Sequence, residues 1–214
     1  MTVAALALGT AACGDDEEET VPQEDEGPEV FTTVILTFSP DGGTAGDDIV
    51  VQFEDPDGDG VQNGVFTYPN SGSSALLAAD TDYTLAVSFR NILAPDPDEI
   101  QEEIAVEEDD EHQILFFGSN VNGPATTNTS APITHTYADM DENMLPVGVI
   151  NNIETSATAA AAGPFSVLLR HLPPVNGTAE KVAGLAAAWR DNGETGFPGE
   201  TDIRVDFSIG VAAP

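Results

Sequence analysis

The chain has 214 residues, with 38 Asp and Glu against five Lys and Arg, a formal net charge of −33 and one cysteine. Such an acidic balance excludes nucleic acid as a partner and excludes docking to an anionic membrane face. A single cysteine excludes an internal disulfide, so the fold must be held by a hydrophobic core with a metal as a possible aid, and the chain is long enough to bury one.

In chain order, residues 1–12 read as a lipoprotein signal peptide. Val3, Ala4, Ala5, Leu6, Ala7 and Leu8 form an apolar run too short to span a bilayer, followed by small cleavage-site residues from Gly9 to Ala12. Ala11, Ala12 and Cys13 match the lipobox, with Thr10 standing where Leu is preferred. No Lys or Arg occurs in residues 1–12, so the basic n-region is expected upstream of Met1. A lone cysteine is ordinarily a buried thiol, but Cys13, set between Ala-Ala and Gly-Asp-Asp-Glu-Glu-Glu, has no core to enter. Cys13 is therefore expected to be the acylated residue that anchors the protein to a membrane. Residues 13–30 carry nine of the acids together with Pro and Gly, a composition that cannot bury apolar surface and reads as a disordered tether. The other 29 acids and all five bases leave a domain of net charge −24 over residues 31–214. Attraction of cations and adaptation to a salty environment both explain that surplus, and the single Lys, Lys181, suits the second.

From residue 31 the dominant period is two, the signature of half-buried strands. Alternating or apolar runs occur at Val30 to Phe38, Ile49 to Phe53, Val65 to Tyr68, Tyr83 to Phe89, Ile114 to Phe117, Ile133 to Tyr137, Val147 to Ile150 and Phe165 to Leu169. The last run is the most regular, with Ile203, Val205, Phe207, Ile209 and Val211 inward and Asp202, Arg204, Asp206 and Ser208 outward. Gly, Pro, Asn and Asp punctuate the runs, and the connections are too short for parallel crossovers. The expected fold is all-β: one antiparallel β-sandwich, Ig-like or Greek-key, of about eight to ten short strands. Helix is confined to Asp98 to Val106, with Asp98 as N-cap and Ile100 and Ile104 on one face, and to Ala183 to Trp189.

Three segments suggest cation chemistry. In Asp55-Pro56-Asp57-Gly58-Asp59-Gly60, alternate carboxylates with Gly at the sixth position let oxygens converge as in calcium loops, and Asn63 at the ninth could add a ligand. Phe66 occupies the twelfth position, where an EF-hand requires Glu, so calcium affinity is expected at about 10⁻⁴ to 10⁻³ M. The same residues also serve as a plain turn. Asp139, Asp141 and Asn143 repeat the pattern more weakly, without the glycine. Ten acids lie between residues 96 and 111, ending at His112. Such a run is ordinarily a solvated edge; alternatively it gathers cations, with His112 and Glu111 as ligands of a transition metal, which imidazole and carboxylate together suit. His135 and His171 lie in strands, and the phase of His171 with Phe165, Val167 and Leu169 makes it a half-buried strand residue. No catalytic motif stands out, and no enzymatic activity is expected.

Five segments carry a resemblance: the Cys-Gly-Asp-Asp-Glu-Glu start, residues 53–60, Glu108 to Gln113, Leu168 to Pro174 and Gly199 to Phe207. Together they resemble small acidic lipoproteins of Bacteroidota and their relatives, often labelled type 1 periplasmic-binding fold proteins and of unknown function. The resemblance implies an outer-membrane, surface-facing lipid anchor, since acids after the acylated cysteine resemble a surface-export signal. Its label implies a two-lobed α/β architecture, which the period-two pattern contradicts. Two classes of function follow. One is a non-enzymatic accessory lipoprotein that captures a cation or small ligand, with an outer-membrane TonB-dependent receptor as partner. The other is a structural or adhesive surface module whose acidic loops bind calcium for rigidity.

Overall fold

The computed structural model describes residues 29–43, 47–58, 60 and 63–214. The expected signal peptide, Cys13 and the tether up to residue 28 lie outside the described residues, as does Asp59. The fold is all-β, as the alternation requires, and is built from two sheets. Along the chain the strands are β1 (Thr33–Pro40), β2 (Ile49–Glu54), β3 (Val65–Thr67), β4 (Ala75–Leu77), β5 (Asp82–Arg90), β6 (His112–Phe117), β7 (Val121–Asn122), β8 (Ile133–Tyr137), β9 (Ile150–Thr155), β10 (Ala160–His171) and β11 (Glu200–Val211). One sheet has the order β3-β2-β1-β5-β9-β8-β7 and the other β4-β11-β10-β6. Pairing is antiparallel except for β7 with β8 and β4 with β11, where short edge strands join in parallel.

The inward side chains of both sheets form one core. Phe38, Phe53 and Phe89 of the larger sheet and Phe116, Phe165 and Phe207 of the smaller are fully buried. Rings meet edge to face across the interface, with Phe38 and Phe165 centroids 6.0 Å apart, the geometry that aromatic quadrupoles favour. The run Val147 to Ile150 differs from its expected role as a strand. Gly148, at φ +99°, bends the chain between sheets, so that the Val147 carbonyl accepts from Ile114 and the Val149 carbonyl from Val87. The strand proper begins at Ile150.

Two short helices cover the sheets. Helix α1 (Glu99–Glu102) runs into a π turn at Glu103–Glu107, burying Ile100 and Ile104 as their shared face requires. Asp98 holds the N-cap position but makes no cap hydrogen bond; its carboxylate instead pairs with Arg90 at 2.6 Å. Helix α2 (Leu185–Asn192) lays Leu185, Ala186 and Trp189 inward, the latter two forming a second small core with Leu115 and Leu168 on the outer face of the smaller sheet.

Candidate metal centre

Strands β6 and β10 are antiparallel, so the first residue of one lies beside the last of the other. That register pairs His112 with His171. Their imidazoles stack with centroids 4.6 Å apart and planes 10° from parallel, at the end of the smaller sheet where β6 begins and β10 stops.

Three segments deliver four carboxylates to this end. The π turn after α1 carries the chain to Glu108, and the tight turn Glu108 to Glu111, closed by Glu111 N–H donating to the Glu108 carbonyl at 2.9 Å, presents Glu111 and His112. The N-terminal segment contributes Glu29. Phe31 is buried edge-on against Phe89, and Thr32 N–H donates to the Arg90 carbonyl, so the chain before β1 is already docked. The register between β10 and β11 slips between Leu169 and Arg170, leaving Asp202 as an extra residue. Such a β-bulge re-aims a side chain, and Asp202 turns in towards His112 instead of outward as strict alternation required. Arg170 supports the bulge by donating to Thr201 Oγ1 and to the Pro198 carbonyl, both at 2.6 Å. Gly199, at φ +69°, permits the approach, since a Cβ there would lie 2.0 Å from the His171 carbonyl oxygen.

The contacts divide between the imidazoles. His112 Nε2 lies 3.5 Å from Glu29 Oε2 and 4.0 Å from Asp202 Oδ2. His171 Nε2 lies 3.8 Å from Glu108 Oε2 and 3.6 Å from Glu111 Oε2. None of these is a hydrogen-bond distance. His112 has no exposed side-chain surface, and its Nδ1 donates to the Glu108 carbonyl at 3.0 Å. That bond directs the Nε2 lone pair at the carboxylates, the second-shell arrangement by which ligating histidines are oriented. Nε2 itself, Glu29 Oε2 and Asp202 Oδ2 are buried without a hydrogen-bond partner. Glu29, Glu108, His112 and His171 offer ligand atoms all within 4.8 Å of one another, so the group could hold a metal ion.

The electrostatics reflect the crowding. Burial, reinforced by the Glu29 charge, pushes the Asp202 carboxyl up to about 7, and burial likewise raises Glu108. For His112, burial acts downward, but Glu29, the Glu108 carbonyl and Asp202 outweigh it and leave the imidazole above its ordinary value. Burial acts upward on Glu29, and the two imidazoles more than reverse it.

Of the residues singled out in the sequence, His112 and Glu111 meet here. His171, read only as a strand residue, joins them in the expected phase. Glu29, assigned by composition to the tether, and Asp202, placed outward by alternation, were not found from sequence; the bulge that turns Asp202 has no sequence mark. The acid run is split, with Asp96, Asp98, Glu99, Glu102, Glu107 and Asp110 exposed and Glu108 and Glu111 at the centre.

The other candidate loops lie apart. Asp55 is buried, its Oδ2 accepting from Gly60 N–H at 2.8 Å and its Oδ1 buried without a partner, while Asp57 and Asn63 are exposed. Asp139 accepts from the N–H groups of Gly148, Val149 and Ile150 at 2.8, 2.8 and 3.0 Å. Asp141 accepts from Asn143 and Leu145 N–H and pairs with Lys181 Nζ at 2.8 Å, both side chains being fully buried. The Asn143 side chain is exposed. His135 is buried, with Nε2 2.9 Å from Asn151 Oδ1, and burial depresses its pKa to about 4.

No family model matches the chain, and no curated protein or solved structure matches it. Among the described residues, no helix is long and apolar enough to cross a membrane.

Proposed function

We propose that this protein is a non-enzymatic lipoprotein, anchored through Cys13 in the outer membrane and facing the cell surface, whose domain binds a divalent transition metal at the His112–His171 centre. The observation that carries the metal reading is His112: fully buried, its Nδ1 held by a backbone carbonyl, its Nε2 unpartnered and facing buried carboxylate oxygens. Polar atoms removed from water are costly unless paired or bound to a metal. Imidazole with carboxylate suits the first-row divalent ions from Mn to Zn better than calcium, which prefers oxygen alone.

The test is calorimetry with Zn²⁺ and with Ca²⁺ on the chelator-treated chain, carrying Cys13→Ser to remove the lone thiol. Saturable Zn²⁺ binding that is lost in the double variant His112→Ala/His171→Ala supports the reading; no Zn²⁺ binding refutes it. Anchoring is tested separately by palmitate labelling, which must disappear in Cys13→Ala. A cargo role predicts that loaded protein transfers its metal to a TonB-dependent receptor.

A second reading is favoured by one atom. Asp55 Oδ1 is buried and unpartnered at the start of the Asp55, Asp57, Asp59, Asn63 loop, which suits weak calcium binding that stiffens a structural or adhesive surface module. It predicts a calcium-dependent rise in melting temperature that Asp55→Asn abolishes.

A further inference from the structure

We infer that the centre holds two divalent transition-metal ions side by side, one on His112, Glu29 and Asp202 and the other on His171, Glu108 and Glu111. The inference rests on the metal-binding reading above and specifies its stoichiometry and ligands.

The stacking of the imidazoles is the first argument. A metal binds histidine along the nitrogen lone pair, which lies in the ring plane, at about 2.0–2.1 Å. The two rings are nearly parallel, 10° apart, with centroids 4.6 Å apart, and rings in contact cannot approach closer than about 3.5 Å. One ion shared by both Nε2 atoms would stand roughly 1.8 Å out of each plane, about 60° away from both lone pairs. Two ions, each in the plane of its own ring, meet no such conflict. Their spacing would follow that of the rings, whose centroids are 4.6 Å apart, somewhat above the ~3.5–4 Å of two-metal sites.

The partition of the carboxylates is the second. Each Nε2 has its own nearest pair, Glu29 and Asp202 at 3.5 and 4.0 Å for His112 and Glu111 and Glu108 at 3.6 and 3.8 Å for His171, with Glu29 and Glu108 also within 4.8 Å of the other imidazole. Each half therefore repeats one donor set, an imidazole with two carboxylates. In this arrangement the Asp202 bulge completes the His112 half.

Charge is the third. Four carboxylates with two neutral imidazoles carry four negative charges; one divalent ion leaves two of them unbalanced in a half-buried site, and two ions leave none.

The experiment counts metal. The full chain carrying Cys13→Ser is equilibrated with Zn²⁺ alone at 0.15 M salt, dialysed and measured for zinc per chain. Two zinc ions are expected, falling to one in Asp202→Asn and to one in Glu111→Gln, with the surviving ion held within about threefold of its original affinity. The double variant His112→Ala/His171→Ala should retain none. One zinc in the parent chain overturns the inference and leaves the proposed function standing; none overturns both. Two zinc ions that persist in the double variant belong to the acidic surface and overturn the inference too. So does a stoichiometry of two that neither single substitution changes. Circular dichroism of each variant separates lost binding from lost fold.

Discussion

In the loop after β8, Asp139 accepts three backbone N–H groups, and Asp141 accepts two and meets the ammonium of Lys181. At the His112–His171 end of the sandwich, Glu29, His112 and Asp202 bring buried atoms together that find no donor or acceptor. Both regions are acidic, and both follow an apolar or helical element with a short turn. The first is finished as it stands, so its carboxylates fix the backbone. The second leaves polar atoms out of water and out of hydrogen bonds, a state that folding does not reward and that a cation would relieve. The count of acids therefore says little about where a ligand binds, whereas the balance of donors and acceptors around each buried atom says much.

The widest test of this contrast is to remove one buried charge from each region. Lys181→Met leaves Asp141 without its ammonium and should cost about 3–5 kcal/mol, measured by urea unfolding at pH 8 in the presence of a chelator. Asp202→Asn should act in the opposite direction. The Asp202 pKa is raised from 3.8 to about 7 in the folded chain, so the native state binds more protons than the unfolded one across that interval. Stability is lost as pH rises from about 4 to 7 and stays lost above it. At pH 8 the variant escapes that loss and should gain about 2–4 kcal/mol. A destabilised Asp202→Asn would erase the distinction between the two regions.

His135 sharpens the contrast among the imidazoles, because it is buried against Asn151 and Phe116 with no carboxylate among its contacts. Its pKa is held at about 4 by burial, against an ordinary 6.5. The unfolded chain takes up a proton below pH 6.5 and the folded chain only near 4. This contribution to stability is therefore present above 6.5 and lost as pH falls between the two values. The parent should lose about 3 kcal/mol relative to His135→Gln between pH 7 and pH 4. Equal slopes for the two proteins would place the imidazole in water.

Metal addition should reveal the other side of the unsatisfied centre. At a hundredfold excess over the dissociation constant, Zn²⁺ should stabilise the chain by about 2.7 kcal/mol for each ion bound, a rise in melting temperature of about 5–10 °C per ion for a protein of this size. The same zinc should leave the melting of His112→Ala/His171→Ala unchanged.

The alternation of Phe165, Val167, Leu169 and His171, and of Ile203 to Val211, made the sandwich legible in the sequence, because side-chain period follows directly from strand geometry. Ile100 and Ile104 likewise disclosed the buried face of the first helical segment. The strands β4 and β7 escaped notice, being only three and two residues long and without a period. His112 and Glu111 were legible as candidates that the structure brings to one place, but the neighbours of His112 were not. His171 reaches it through strand register, Asp202 through a bulge and Glu29 through docking of a segment whose composition reads as a tether. All three depend on contacts between residues far apart in sequence. Local pattern shows which face a residue takes, and only the assembled sheets show what that face meets.

The smallest effect belongs to Asp139, and it bears most directly on the finished loop. Its carboxylate receives three N–H groups across the bend at Gly148, where the chain passes between sheets. Asn at this position offers a single acceptor oxygen, so at least one N–H loses its partner along with the negative charge. The expected cost is about 1–2 kcal/mol, read from urea unfolding, with zinc stoichiometry equal to that of the parent chain. Because the Val147 and Val149 carbonyls on either side of the bend serve the two sheets, the loss should appear first as faster amide exchange at Ile114 and Val87. Lost zinc without lost stability would make Asp139 a ligand and join the two regions. Lost stability with unchanged zinc keeps them as two different uses of the same side chain.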